Sequence, residues 1–99
     1  MSDLKKIRKT VSDCFDSIVT VKKLGQSGGS KTVTHAKAVG VYVARKEGHD
    51  NSSIAKVFGY ESGKSVSNVF SRVNKEILFG GELRGDVDAV AEKLGIDLD

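Results

Sequence analysis

Residues 51–78, NSSIAKVFGYESGKSVSNVFSRVNKEIL, constrain the fold more than any other stretch of the chain. Ile54, Val57 and Phe58 put apolar side chains on one face of a short helix. Gly59 follows at once, and glycine in the left-handed conformation ends helices. Tyr60, Glu61, Ser62 and Gly63 read as a tight turn. Val66, Val69, Phe70, Val73 and Ile77 then recur at i, i+3, i+4, i+7 and i+11, the spacing of one helical face. The opposite side of this second helix carries Lys64, Ser65, Ser67, Asn68, Ser71, Arg72 and Lys75, and its sole acid is Glu76. A short helix, a turn and a longer helix with one apolar and one basic, hydroxyl- and amide-rich face predict a helix-turn-helix whose second helix is the recognition helix.

The remaining segments read as support for this unit. Ser2 is positioned to cap a first helix from about Asp3, with Leu4, Ile7, Val11, Cys14, Phe15 and Ile18 as its inner stripe and Lys5, Lys6, Arg8 and Lys9 outside. Val19 to Val21 is β-branched and weakens the helix there. Residues 24–31, LGQSGGSK, read as a flexible basic loop. Thr32 or Thr34 is the expected cap of a helix over His35 to Glu47, with Ala36, Val39, Gly40, Val43 and Ala44 on one face and close helix approach allowed by its small residues. Gly48 ends that helix, and Asn51 or Ser52 caps the next. The long helix stops at Gly80-Gly81. A last helix is expected from about Asp86 to Leu94, its apolar stripe being Val87, Val90, Ala91 and Leu94. These segments predict an all-α domain, a four- to five-helix bundle, with residues 1–81 as the body and 82–99 as an acidic C-terminal helix packed on or next to it.

Ninety-nine residues are enough for one domain with one core. The lone Cys14 excludes an intrachain disulfide and reads as a buried small residue. The apolar runs are too short to span a bilayer, and the N-terminal MSDLKKIRK lacks the apolar core of a signal peptide, so the chain is expected in the cytoplasm. Charge is unevenly placed: residues 1–81 hold 14 Lys/Arg against 7 Asp/Glu, and residues 82–99 hold 2 against 6. A basic body with an acidic end fits a polyanionic partner.

The order of parts resembles the C-terminal DNA-binding domain of the bacterial replication initiator DnaA. The matching residues run from about Ile7 to Leu78. Val39-Gly-Val-Tyr-Val-Ala-Arg45 is similar to the apolar helix of that family ending in Leu-Ala-Arg, and Ile54-Ala-Lys-Val-Phe-Gly59 is similar to its Ile-Gly-x-x-Phe-Gly. A similar domain occurs in transposase-like proteins of repetitive extragenic palindromes, where the second helix opens with Ser-x-Val-Ser; Lys64-Ser-Val-Ser67 approaches it. The resemblance implies a Trp-repressor/DnaA-type helical fold and double-stranded DNA binding without the ATPase module. The base-reading chemistry departs from the family. Ser62, Gly63 and Lys64 stand where it has Asp-His-Thr; Gly29 stands near its minor-groove arginine, with Lys31 the nearest cation; Lys37-Ala38 replaces its Arg-Gln pair.

Recognition helices set their N-terminal residues against base edges. Lys64, Ser65 and Asn68 are therefore the expected readers: Lys donates to guanine O6/N7, Asn pairs with adenine N6/N7, and Ser is unselective. Ser67 shares the polar side. Lys31 and Lys37 are expected to hold the DNA backbone, Arg72 to reach a phosphate, and His35 to approach one from beside the basic loop. Residues 25–32, GQSGGSKT, nearly fit a phosphate-binding loop but carry Ser30 at the second glycine, and residues 59–65, GYESGKS, fall one residue short; neither has the parallel sheet such a loop requires. His35 and His49 lack a ligand cluster at metal spacing, so no metal, no cofactor and no catalysis are expected. The expected partner is double-stranded DNA, with a regulatory or accessory role in transcription, replication or a mobile element. The alternative is a protein-interaction module on the same scaffold, to which the missing Asp-His-Thr points. For the last helix, core packing is the commoner outcome and a homodimer or protein contact the other. No membrane partner is expected.

Overall fold

The architecture is organised around one helix buried on every side. In the computed structural model, which describes residues 3–15 and 19–98, α3 spans Lys31–Lys46. Every residue from Ala36 to Ala44 is buried, and all the other helices touch it. A helix that is apolar all round belongs in the middle of a domain. Here Ala36, Ala38, Gly40 and Ala44 let neighbours approach closely, while Val39, Val41 and Val43 fill the space between them. The expected single inner face of this helix is therefore corrected: α3 has no solvent side along its central two turns. Gly40 shows how tight the approach is, since a Cβ there would stand 2.5 Å from the ring of Phe58.

Around it lie α1 (Leu4–Cys14), α2 (Val21–Leu24), α4 (Asn51–Phe58), α5 (Gly63–Leu78) and α6 (Glu82–Leu94). The described residues contain no strand. Their caps refine the expected boundaries. Asp3 caps α1, accepting from the Lys5 amide at 2.7 Å; Ser2 and Ile18 lie outside the described residues. Ser30 caps α3 in place of Thr32 or Thr34, so this helix starts a turn earlier than its apolar pattern. Asp50, not Asn51 or Ser52, caps α4 through the Ser53 amide at 2.7 Å, and that hydrogen bond holds its carboxyl below the ordinary range. Asn51 instead joins α4 to α3. Its Oδ1 accepts from Arg45 Nη1 at 2.5 Å, with the guanidinium carbon 5.0 Å from the Phe70 ring centroid. Tyr42 stacks on the same Phe70, centroids 5.5 Å apart, so α3, α4 and α5 meet at one aromatic junction.

The β-branched run around Val19 does not predict the one-turn α2. Thr20 caps it and fully buried Leu24 anchors it, so tertiary burial overrides weak propensity. Ser12 Oγ donates to Val19 O at 2.7 Å and ties α1 to the segment before α2. Arg8, expected outside, instead reaches inward: its Nη1 donates to Val57 O at 3.0 Å at the end of α4. The last helix begins at Glu82, a turn before Asp86, because Leu83 joins the core ahead of Val87 and Val90. It packs on α1, α3 and α5. No helix of the described residues is long and apolar enough to cross a membrane.

Candidate nucleic-acid interface

The candidate surface begins with α5. Val66 and Val73 are buried, with Val69, Phe70 and Ile77 packed beside them, as the spacing predicted. With 3.6 residues per turn, the side opposite those residues follows from the sequence. Lys64, Asn68, Ser71 and Lys75 recur at i, i+4, i+7 and i+11 along its centre, and all four are exposed. Ser65, Arg72 and Glu76 form the flank that turns towards the start of α3. Ser65 is half-buried and Arg72 exposed. Ser67, also exposed, lies on the other flank with Asn74.

Between α5 and the first turns of α3 runs a groove of about 350 Å³. Lys31, Thr34 and His35 line one side, Arg72 and Glu76 the other, and Gly29 closes the loop end. A second recess of about 270 Å³ lies beside it, between the 27–28 loop, Tyr60 and Ser65, and shares Thr34. The first cavity thus brings Lys31, His35 and Arg72 together and the second holds Ser65, while Lys64, Ser67 and Asn68 line neither cavity and stand exposed on α5. Sequence reasoning missed Thr34 and Tyr60. Thr34 was legible there: Lys31, Thr34, His35 and Ala38 follow i, i+3, i+4, i+7 once the helix is started at Lys31.

Two of the expected phosphate contacts have other partners. Lys37 is only 3 % exposed. Its ammonium donates to Gln26 O and, at 3.1 Å, to Gly28 O, and lies 5.6 Å from the Tyr60 ring centroid. Burial pulls its pKa below the ordinary lysine value. This corrects its assignment as a backbone-holding cation: it ties down the 25–30 loop, which in turn is anchored rather than flexible. The physical reason is that α3 is enclosed on all sides, so a cation on its central turns must find carbonyls inside. His35 Nε2 lies 2.6 Å from Asp86 Oδ2 on α6, with the Phe15 ring edge-on at 5.9 Å. Its imidazole bridges α3 to α6 instead of standing free for a phosphate.

The turn between α4 and α5 is held by the same loop. Gly59 has φ +72°, and a Cβ on it would stand 2.5 Å from the backbone carbonyl of Gln26. Tyr60, against this junction, has its hydroxyl pKa pushed up to about 12 by burial, with Arg72 opposing the shift. The 25–32 segment enters α3 from helix α2 rather than from a strand, so the sheet that a nucleotide-binding loop needs does not precede it.

Compared with known protein families, curated proteins and solved structures, the chain matches none.

Proposed function

We propose that this chain is a non-catalytic protein that binds double-stranded DNA with sequence preference, using α4 and α5 as a helix-turn-helix of the DnaA C-terminal-domain type. It would act as a regulator or accessory factor in transcription, replication or a mobile element. The observation that carries the reading is the bare polar stripe of α5: Lys64, Asn68, Ser71 and Lys75 face solvent while valines on the reverse side fix the helix to the core. An amphipathic helix held in this way can enter a major groove without unfolding anything. Lys64 and Asn68 at its start are the base readers. Ser65 and Ser67 flank them. Lys31 and Arg72, on opposite walls of the neighbouring groove, are the phosphate contacts. Lys37 serves the surface indirectly by holding the loop that leads to Lys31, and His35 contributes only where a phosphate displaces Asp86.

The experiment is a gel-shift titration against random-sequence duplex at two salt concentrations, followed by selection of bound sequences. Lys64→Ala with Asn68→Ala should alter the selected sequence, at about 1–3 kcal/mol for each lost bidentate contact. Lys31→Ala should weaken all sequences alike and reduce the salt slope by roughly 0.9, one phosphate's worth. Unchanged binding in both variants would remove the interface from this surface. The second reading, a protein-interaction module, draws on Glu76 and Asp86, which place carboxylates in or beside the same groove. Failure to retard any duplex at low salt would decide for it.

A further inference from the structure

The exposed stripe of α5 does not stay polar to its end. Lys64, Asn68, Ser71 and Lys75 are followed on the same side by Leu78 and Phe79, which are 77 % and 88 % exposed. They are the two large apolar side chains left bare among the described residues, and they are adjacent. Gly80, at φ +73°, then turns the chain away into α6, so the pair forms a projecting tip.

We propose that this tip is a docking site for a second copy of the same chain, related by a two-fold axis. The flanking charge favours self-association over other occupants. Lys75 lies one turn before Phe79 and exposed Glu82 three residues after it. A two-fold contact is self-complementary: what residue i meets in the partner, its counterpart meets in return. An axis passing between Leu78 and Phe79 sets each leucine against the other copy's phenylalanine and carries each Lys75 towards the opposite Glu82. An anionic lipid surface would meet the carboxylate of Glu82 there instead. The area sets the strength. Leu78 and Phe79 together offer roughly 300 Å² per copy, given 150–250 Å² for a buried aromatic, against about 800 Å² per partner in a stable interface. The contact is therefore transient in free solution and strengthened when both copies are held close.

DNA would hold them so, a consequence that rests on the function proposed above. Lys64 and Leu78 are 14 positions apart, about 21 Å along a helix. Two copies joined at their tips with helices in line place the starts of their recognition helices about 42 Å apart plus the width of the contact, and inclining the helices brings them to the ~34 Å that separates successive major grooves on one face of a duplex.

The test needs no DNA. Sedimentation equilibrium of the full chain over a wide concentration range should show the apparent mass climbing from 10.6 kDa towards twice that value. The Leu78→Ser/Phe79→Ser variant, altered only at exposed positions, should stay monomeric with an unchanged thermal melt. Lys75→Glu should also dissociate the pair, and Lys75→Glu combined with Glu82→Lys should restore it. A wild-type chain that stays monomeric throughout, or a charge exchange that restores nothing, overturns the proposal. Duplex binding by the monomeric variant is then measured separately: dimerisation without any DNA binding would refute the proposed function and leave the tip contact standing.

Discussion

Replacing Gly59 by alanine tests how the loop, the turn and α5 are joined. The residue has φ +72°, where an L-residue costs about 1–2 kcal/mol relative to glycine. The new Cβ would also stand 2.5 Å from the carbonyl carbon and oxygen of Gln26 and 2.7 Å from Gly25 O. These are backbone atoms, so no side chain can rotate away. Relief requires the loop to shift, and Lys37 resists that shift by holding Gln26 O and Gly28 O. Overpacking of this kind costs about 1–3 kcal/mol. Gly59→Ala should therefore destabilise the protein by about 2–5 kcal/mol, lowering Tm by roughly 10–30 °C for a domain of this size. Gly80 supplies the control. It has nearly the same φ, +73°, and among the described residues no heavy atom lies within 4 Å of an added Cβ. Gly80→Ala should show the conformational part alone, about 1–2 kcal/mol. Urea unfolding followed by circular dichroism measures both. If Gly59→Ala costs no more than Gly80→Ala, the loop does not rest on the turn, and the positioning of Lys31 beside Arg72 loses its support.

Three further perturbations check other parts of the arrangement. Tyr60 titrates at about 12 in the fold against 10.0 when free, so it stabilises fully below pH 10 and progressively less up to pH 12; across that window the wild type should lose about 2–3 kcal/mol relative to Tyr60→Phe in urea titrations. Lys37→Met should cost about 1–3 kcal/mol by leaving two loop carbonyls without their donor, and amide exchange should quicken over residues 26–30; a variant of normal stability would return Lys37 to the surface. Gly40→Ala should cost about 1–3 kcal/mol through its clash with Phe58, and Phe58→Leu added to it should recover part of that loss; strict additivity in the double-mutant cycle would refute the contact.

The sequence alone determined what is local. The valines of α5 at helical spacing named the face it buries and therefore the face it bares, because a 3.6-residue period is a property of the chain itself. Gly59 and Gly48 marked helix ends, since both take positive φ. Caps were less legible: Ser30 and Asp50 stand among several residues able to cap, and local pattern does not choose between them. What only the tertiary structure decided is how many neighbours each helix has. Lys37 on α3 looks like any surface lysine until α1, α4, α5 and α6 enclose the helix and leave its ammonium facing loop carbonyls. His35 meets Asp86 across 51 positions of sequence, and the groove between Lys31 and Arg72 exists only where α3 and α5 pack. Periodicity records one buried side per helix; enclosure, pairing and concavity arise from the packing of several helices at once.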